Sequence, residues 1–208
     1  DRARALIALA PHLPKTLLPK ALDCAIGIES EYDRAQALIA LAPHLPKTLL
    51  PKALDCAIGI SDEETRADAL KVLAPHLPET LLPDALDCAR GISHQKYRAR
   101  VLGALAPHLP NVLSEALDCA RGISDEHFRA NALIGLAPQL PDVLLPQALD
   151  CAIGIESKYS RARVLGALAP HLPDVLPQAL DCARGIEFEV NRANALVALA
   201  PHLPDVLL

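Results

Sequence analysis

Tryptophan and methionine are missing from this 208-residue chain, and aromatic residues supply only 2% of it. Any core must therefore be aliphatic, built from Leu, Ala, Ile, Val and Cys. Position 1 is Asp rather than Met, so the chain is expected to be a processed product or a piece excised from something longer. An excess of basic charge is missing too. The formal net charge is −5, which disfavours the clustered Lys and Arg that nonspecific binding to phosphate backbones requires. No nucleic-acid partner is expected. Long apolar runs are absent as well: Pro, Asp or Lys interrupts every stretch well before the ~18 residues of a membrane span, and no signal peptide is visible. This predicts a cytoplasmic protein without a membrane partner. Disorder is excluded from the other side, since 51% of residues are hydrophobic and 22% charged.

What is present is a repeat. The segment from Asp1 recurs from Asp33, Thr65, Tyr97, Phe128 and Ser160, and a truncated copy runs from Asn191 to Leu208. The period is 32, 32, 32, 31, 32 and 31 residues. Periods in this range belong to two-helix modules that bury their apolar faces only by stacking on neighbours. The expected fold is all-α: one array over residues 1–208, an α-solenoid of antiparallel helix hairpins with a right-handed superhelix.

Each repeat reads as two helices. Helix A is expected over roughly Arg2 to Ala10, with Leu6, Leu9, Ala10 and Leu13 on one face. Ser61 and Glu64 suggest a capping box at its start in a later copy. Pro11 and Pro14 mark its end. Helix B is expected from Pro19 to Ile26, with Leu18, Ala21, Leu22, Ala25 and Ile28 forming its stripe and Gly27 just past its end. The 31-residue copies each lack one residue between Leu13 and Pro19 in this register. A deletion inside a continuous helix would rotate everything beyond it by about 100°. A break is therefore placed just before Pro19, with Pro, or Ser114 as an N-cap, opening helix B.

Several residue types recur once per repeat. Cysteine stands at Cys24, Cys56, Cys88, Cys119, Cys151 and Cys182. Equivalent positions in stacked layers lie about 9–10 Å apart, too far for a disulfide, whose Cα atoms lie within about 7 Å. No CxxC pair exists to hold zinc. The cysteines are expected to be reduced, buried, small apolar residues, and no metal or cofactor is expected. Histidine recurs in the Pro-His-Leu-Pro turn, from His12 to His202, but Gln139 replaces it once; this favours hydrogen bonding in the turn over chemistry. Arg and Asp are invariant at two positions: Arg34, Arg66 and Arg98 with their equivalents, and Asp23, Asp55 and Asp87 with theirs. The two ends of an antiparallel hairpin bring these rows close, so a structural ion-pair ladder is expected. The seventh and twenty-sixth positions co-vary. Ile7 goes with Ile26 and Gly166 with Arg184, which suggests that helices A and B of one repeat touch there. No phosphate-binding glycine loop, HExxH or carboxylate pair is found, so the chain is not expected to be an enzyme.

The pattern RAxALxxLAPHLPxxLLPxAL is best matched at Arg34, Ala35, Leu38, Leu41, Ala42, Pro43, Leu45 and Pro46. It resembles the helical repeats near the ends of bacterial signalling NTPases of the STAND (NACHT or NB-ARC) class. More generally it resembles HEAT-like and tetratricopeptide-like solenoids, without the Trp-Leu-Gly-Tyr signature of the latter. The resemblance spans the whole chain and implies an arm that senses a partner; no nucleotide-binding motif accompanies it.

The functional expectation is a scaffold that binds protein or peptide. A passive spacer or designed-like scaffold is the alternative, and a nucleic-acid-binding solenoid ranks below both. Variation between repeats concentrates in three places. Two lie on helix A, and Tyr97, Arg100, Phe128, Asn131 and Arg163 mark the stripe expected to meet the partner. The third is the edge around helix B, where Lys15, Lys20, Lys47 and Lys52 give way to Glu79, Asp84, Glu115, Asp142, Asp174 and Asp205. Neither terminal repeat carries a polar cap, so end-to-end self-association is a further expectation.

Overall fold

Apolar residues three and four apart give every repeat two short α-helices, and prolines frame the turn between them. The structure, a computed structural model, describes residues 2–202. Asp1, Asp205 and Leu208 lie outside the described residues. Among those described there are thirteen α-helices and no strand, and the chain is an α-solenoid of helical repeats. Its contacts group into two compact units, Asp1–Val112 and Leu113–Leu208, divided within the fourth repeat.

The first unit holds α1 (Arg2–Leu9), α2 (Leu18–Ile26), α3 (Glu31–Leu41), α4 (Leu50–Ile58), α5 (Glu63–Leu73), α6 (Leu82–Arg90) and α7 (Gln95–Leu105). The second holds α8 (Leu113–Arg121), α9 (Glu126–Leu136), α10 (Leu145–Ile153), α11 (Lys158–Leu168), α12 (Leu176–Arg184) and α13 (Glu189–Leu199). Within each unit the A helices stack on one another: α1, α3, α5 and α7 in the first, α9, α11 and α13 in the second. Each B helix lies against helix A of the following repeat, as α2 does on α3 and α10 on α11. In the 32-residue repeats 1, 2 and 5, helices A and B of the same repeat touch only sparsely. The tight hairpin is therefore B with the next A, because the turn joining them is the short Gly-Ile turn rather than the longer proline-framed one.

The core is aliphatic. Leu38, Leu41, Leu54, Ile60, Leu70, Leu73 and Ile92 are all fully buried, each contributing roughly 1.5–3 kcal/mol of burial free energy. Ala35, Ala67 and Ala130 are buried to the same degree and let the A helices approach closely.

Helix A starts two residues before the repeat boundary drawn from sequence. Ser30 Oγ accepts from Asp33 N at 3.2 Å, Asp62 Oδ1 from Thr65 N at 2.8 Å and Asp125 Oδ1 from Phe128 N at 3.0 Å. The cap in the third repeat is thus Asp62, not Ser61. After helix A, a 3-10 turn over Ala-Pro-His ends the run, as at Ala42–His44. Helix B begins at Leu18, with Pro19 second rather than first, and Ser114 likewise sits inside α8 instead of capping it. Neither of the first two helical N–H groups has an intrahelical partner, so proline is tolerated at the second position as at the first.

The missing residue of the short repeats is absorbed in this linker. In the second repeat Leu45 N bonds Ala42 O, but in the short repeats Leu109 N and Leu172 N bond back to Leu105 O and Leu168 O, both at 2.9 Å. The 3-10 turn then starts on proline itself, at Pro110–Val112 and Pro173–Val175, against Lys15–Leu17 in the first repeat. In the sixth repeat this draws α11 and α12 together along much of their length.

Candidate functional site

The invariant arginines clamp the turn from helix B into the next helix A. Arg34 Nη1 donates to Ile28 O at 2.7 Å, Arg66 Nη1 to Ile60 O at 2.6 Å and Arg98 Nε to Ile92 O at 2.8 Å. Arg129 and Arg192 repeat the contact on Ile123 O and Ile186 O. A guanidinium at the carbonyl end of helix B also complements that end's partial negative charge. The expected Arg–Asp ladder is therefore corrected. Arg34 is not held by Asp23, nor Arg66 by Asp55 or Arg98 by Asp87, because each guanidinium turns to backbone carbonyls and the Asp row projects from helix B toward solvent. Asp23 Oδ1 instead receives Lys52 Nζ of the next repeat at 2.5 Å, and Asp118 Oδ1 receives Gln147 Nε2 at 2.8 Å.

A second contact between repeats had no forerunner in the sequence reading. Glu31 Oε2 accepts from the backbone N–H of Ser61 and Asp62, and its Oε1 accepts from Ser61 Oγ. Glu63 likewise accepts from the backbone N–H of Ser93 and His94 and from Ser93 Oγ, and Glu126 accepts from the backbone N–H of Glu156 and Ser157. The carboxylate lies at the start of one helix A and binds the free N–H groups ahead of the next. Glutamate at 31, 63, 126 and 189, replaced by Gln95 and Lys158, was the available signal.

The helix A stripe is placed as follows. Tyr97 is only 8% exposed; its hydroxyl donates to Glu64 Oε2 of the preceding repeat at 2.7 Å, and burial followed by that bond raises its pKa. It is not the exposed anchor expected, because its ring folds into the joint between repeats. Arg100 bonds Asp68, and Arg163 Nη1 donates to Asn131 Oδ1 at 3.0 Å. Asn131 also lies 3.0 Å from His127 Nε2. Phe128 stays 41% exposed. Most of the stripe is thus engaged in joining consecutive repeats.

The variable edge of helix B is different. In the second unit a cleft of about 480 Å³ is lined by Arg121, Val143, Pro146, Gln147, Asp150 and Cys151, among others. Val143 is 83% exposed. Asp118 organises the rim, bonding both Gln147 and, at 3.1 Å, Arg121. Val143, Gln147 and Arg121 occupy positions that change between repeats, while Pro146, Asp150 and Cys151 are the recurring frame.

All six cysteines are free. They are less uniformly buried than expected: Cys119 and Cys151 are buried, Cys56, Cys88 and Cys182 half-buried, and Cys24 exposed. Burial pushes the thiols of Cys56, Cys88 and Cys151 above the ordinary cysteine range. His12, His44, His108, His171 and His202 are exposed in their turns. Among the described residues no three His, Cys, Asp or Glu side chains are grouped so that they could hold a metal ion, and no helix is long and apolar enough to cross a membrane. No family model, curated protein or solved structure matches this chain.

Proposed function

We propose that this chain is a non-catalytic scaffold that binds protein or peptide along the helix B edge. We propose further that it serves as the sensor arm of a larger signalling protein, as in the STAND-class arrays whose repeats it resembles. One observation carries the reading: Val143, at a variable position, is 83% exposed at the edge of an open cleft, whereas the variable helix A residues Arg100 and Arg163 are bonded within the stack. Residues that vary yet are not needed for stacking are free to carry specificity, and an exposed apolar side chain beside fixed polar groups is the composition of a recognition patch. The six free thiols support a reducing, cytoplasmic setting.

The test is selection of binders from a random peptide library on the 208-residue chain. Enriched peptides should lose binding to a Val143→Asp, Gln147→Ala double variant whose helicity and melting are unchanged. An absence of enriched peptides, or peptides indifferent to the double variant, would reject the reading.

A further inference from the structure

The fourth position of helix A meets its counterpart across the joints between repeats. Arg100 reaches back to Asp68 where repeats 3 and 4 join, and Arg163 Nη1 to Asn131 Oδ1 at 3.0 Å where repeats 5 and 6 join. Where repeats 2 and 3 join, the two positions hold Gln36 and Asp68, and neither is an arginine. A pocket of about 200 Å³ opens there, lined by Tyr32, Gln36, Asp62, Glu64, Thr65 and Asp68. All six belong to the first compact unit.

The repeats themselves show what chemistry these positions take. Tyr32 is 64% exposed and stands one turn before Gln36 on α3. Its equivalent Tyr159 stands one turn before Arg163 on α11. There the guanidinium carbon lies 5.6 Å from the ring centre, within cation–π range. Tyr32 thus presents a ring face of the kind that takes an arginine elsewhere in the chain, while α3 supplies only an amide beside it. Asp68, on the other wall, already binds a guanidinium, that of Arg100. Glu64, one turn before it on α5, accepts the Tyr97 hydroxyl. Two carboxylate oxygens offer about four lone-pair sites, so each of these side chains has acceptor capacity beyond the bond it makes. Three carboxylates line the pocket and no basic side chain does. The charge therefore calls for a cation, and the ring beside two carboxylates calls for a planar, forked one. Arginine meets both demands, and lysine, a point charge, meets only the first.

We propose that this pocket receives an arginine side chain from an exposed segment of a partner protein, stacked on Tyr32 and donating to Glu64 and Asp68. The partner brings to this joint the residue that repeats 4 and 6 bring to theirs. The pocket is built by helices α3 and α5 of the first unit, so the proposal is independent of the cleft on α10.

The experiment is an NMR titration of the isotope-labelled 208-residue chain with the capped tripeptide acetyl-Gly-Arg-Gly-amide, alongside its lysine and citrulline counterparts. The arginine peptide should shift amides within 32–36 and 62–68, with a Kd of about 0.1–1 mM, the weak range open to one exposed pocket. Citrulline keeps the shape without the charge and should bind about tenfold more weakly or worse; lysine should bind several-fold more weakly. Gln36→Arg supplies a guanidinium from the chain itself, in the geometry of Arg163 on Tyr159. It should leave the melt intact, as arginine does at this position in other repeats, and weaken the peptide about tenfold. Tyr32→Leu gives the same direction of change if Gln36→Arg alters the melt. The Val143→Asp, Gln147→Ala double variant should bind the arginine peptide as the parent does, which separates this site from the helix B cleft. An arginine peptide that shifts nothing at about 10 mM, or shifts amides elsewhere, would overturn the proposal. So would equal binding of the citrulline or lysine peptide, or a well-folded Gln36→Arg chain that binds as the parent does.

Discussion

Glu63 reaches Ser93 one repeat away: its Oε1 accepts from the Ser93 amide at 2.9 Å and from the Ser93 hydroxyl at 2.6 Å. Its other oxygen accepts from His94 N at 3.1 Å and lies 2.9 Å from His94 Nδ1. The N–H groups involved precede α7 and have no helical carbonyl to bond. A carboxylate from the neighbouring helix supplies the acceptor, and its charge suits the positive end of that helix. Glu31 and Glu126 repeat the arrangement. It couples consecutive layers through backbone groups, so it tolerates the change from Ser93-His94 to Glu156-Ser157 at the receiving turn.

These bonds predict acid sensitivity. Glu31 is held below the usual carboxylate range chiefly by the Asp62 amide, Glu63 chiefly by the Ser93 hydroxyl, and Glu126 chiefly by the Glu156 amide. The folded state thus binds these protons more weakly than the unfolded chain, whose Glu titrates near about 4.3. The stabilisation is complete above that value and is lost as pH falls through the lowered folded values. The Tm of the parent should change little from about pH 7 to 5 and fall steeply below about pH 4. A Glu31→Gln, Glu63→Gln, Glu126→Gln variant should melt lower at neutral pH and converge on the parent in acid. Parallel curves across this range would show that the three carboxylates do not act as described.

Leu73 and Leu9 hold the same repeat position but not the same surroundings. Leu73→Ala should cost about 2–5 kcal/mol, as for a fully buried leucine. Leu9→Ala should cost no more than about 1 kcal/mol, since half of its surface is already in water. Urea denaturation at low protein concentration measures both without interference from self-association.

Arg100 and Asp68 should couple weakly. Both side chains are about a third or more exposed, so a double-mutant cycle should return a few tenths to about 1 kcal/mol. A coupling of zero would mean that the contact does not join the third and fourth repeats energetically.

The helical repeat was legible because leucine and alanine spacing reports burial directly, and the break in the linker was legible because a deleted residue can be absorbed only where a helix is interrupted. The arginine row departs from the expected ion-pair ladder for a physical reason. Its partners are the carbonyls of Ile28, Ile60 and Ile92, and a backbone acceptor leaves no mark on residue identity, whereas the invariant Asp row offered an obvious partner. The burial of Tyr97 is not legible in the sequence because it goes with a bond to Glu64 in the preceding repeat, a pairing that occurs once and so has no periodic signature. The glutamate contacts leave only a recurrence at 31, 63 and 126, because their acceptors meet backbone N–H groups and so impose no matching residue on the next repeat.

Two glycines in α9 and α11 should respond oppositely to the same substitution. Nothing lies within 4 Å of a Cβ built on Gly135, which is exposed in the last turn of α9, just ahead of the 3-10 turn. Gly135→Ala should therefore stabilise through helix propensity alone, by up to about 0.5 kcal/mol, the low end of the helix-interior range because the site is in the last turn. At Gly166 the added carbon meets Leu199 Cδ2 at 2.9 Å, and Leu199 is itself buried. Ile7, Ile39 and Ile134 stand at the same repeat position, so an alignment of the repeats would recommend Gly166→Ile. The stack recommends against it: the bulk has no room between α11 and α13, and overpacking should cost about 1–3 kcal/mol. Urea melts of Gly135→Ala and Gly166→Ile side by side decide the matter. A stabilised Gly166→Ile would show that α13 can move away from α11 without loss.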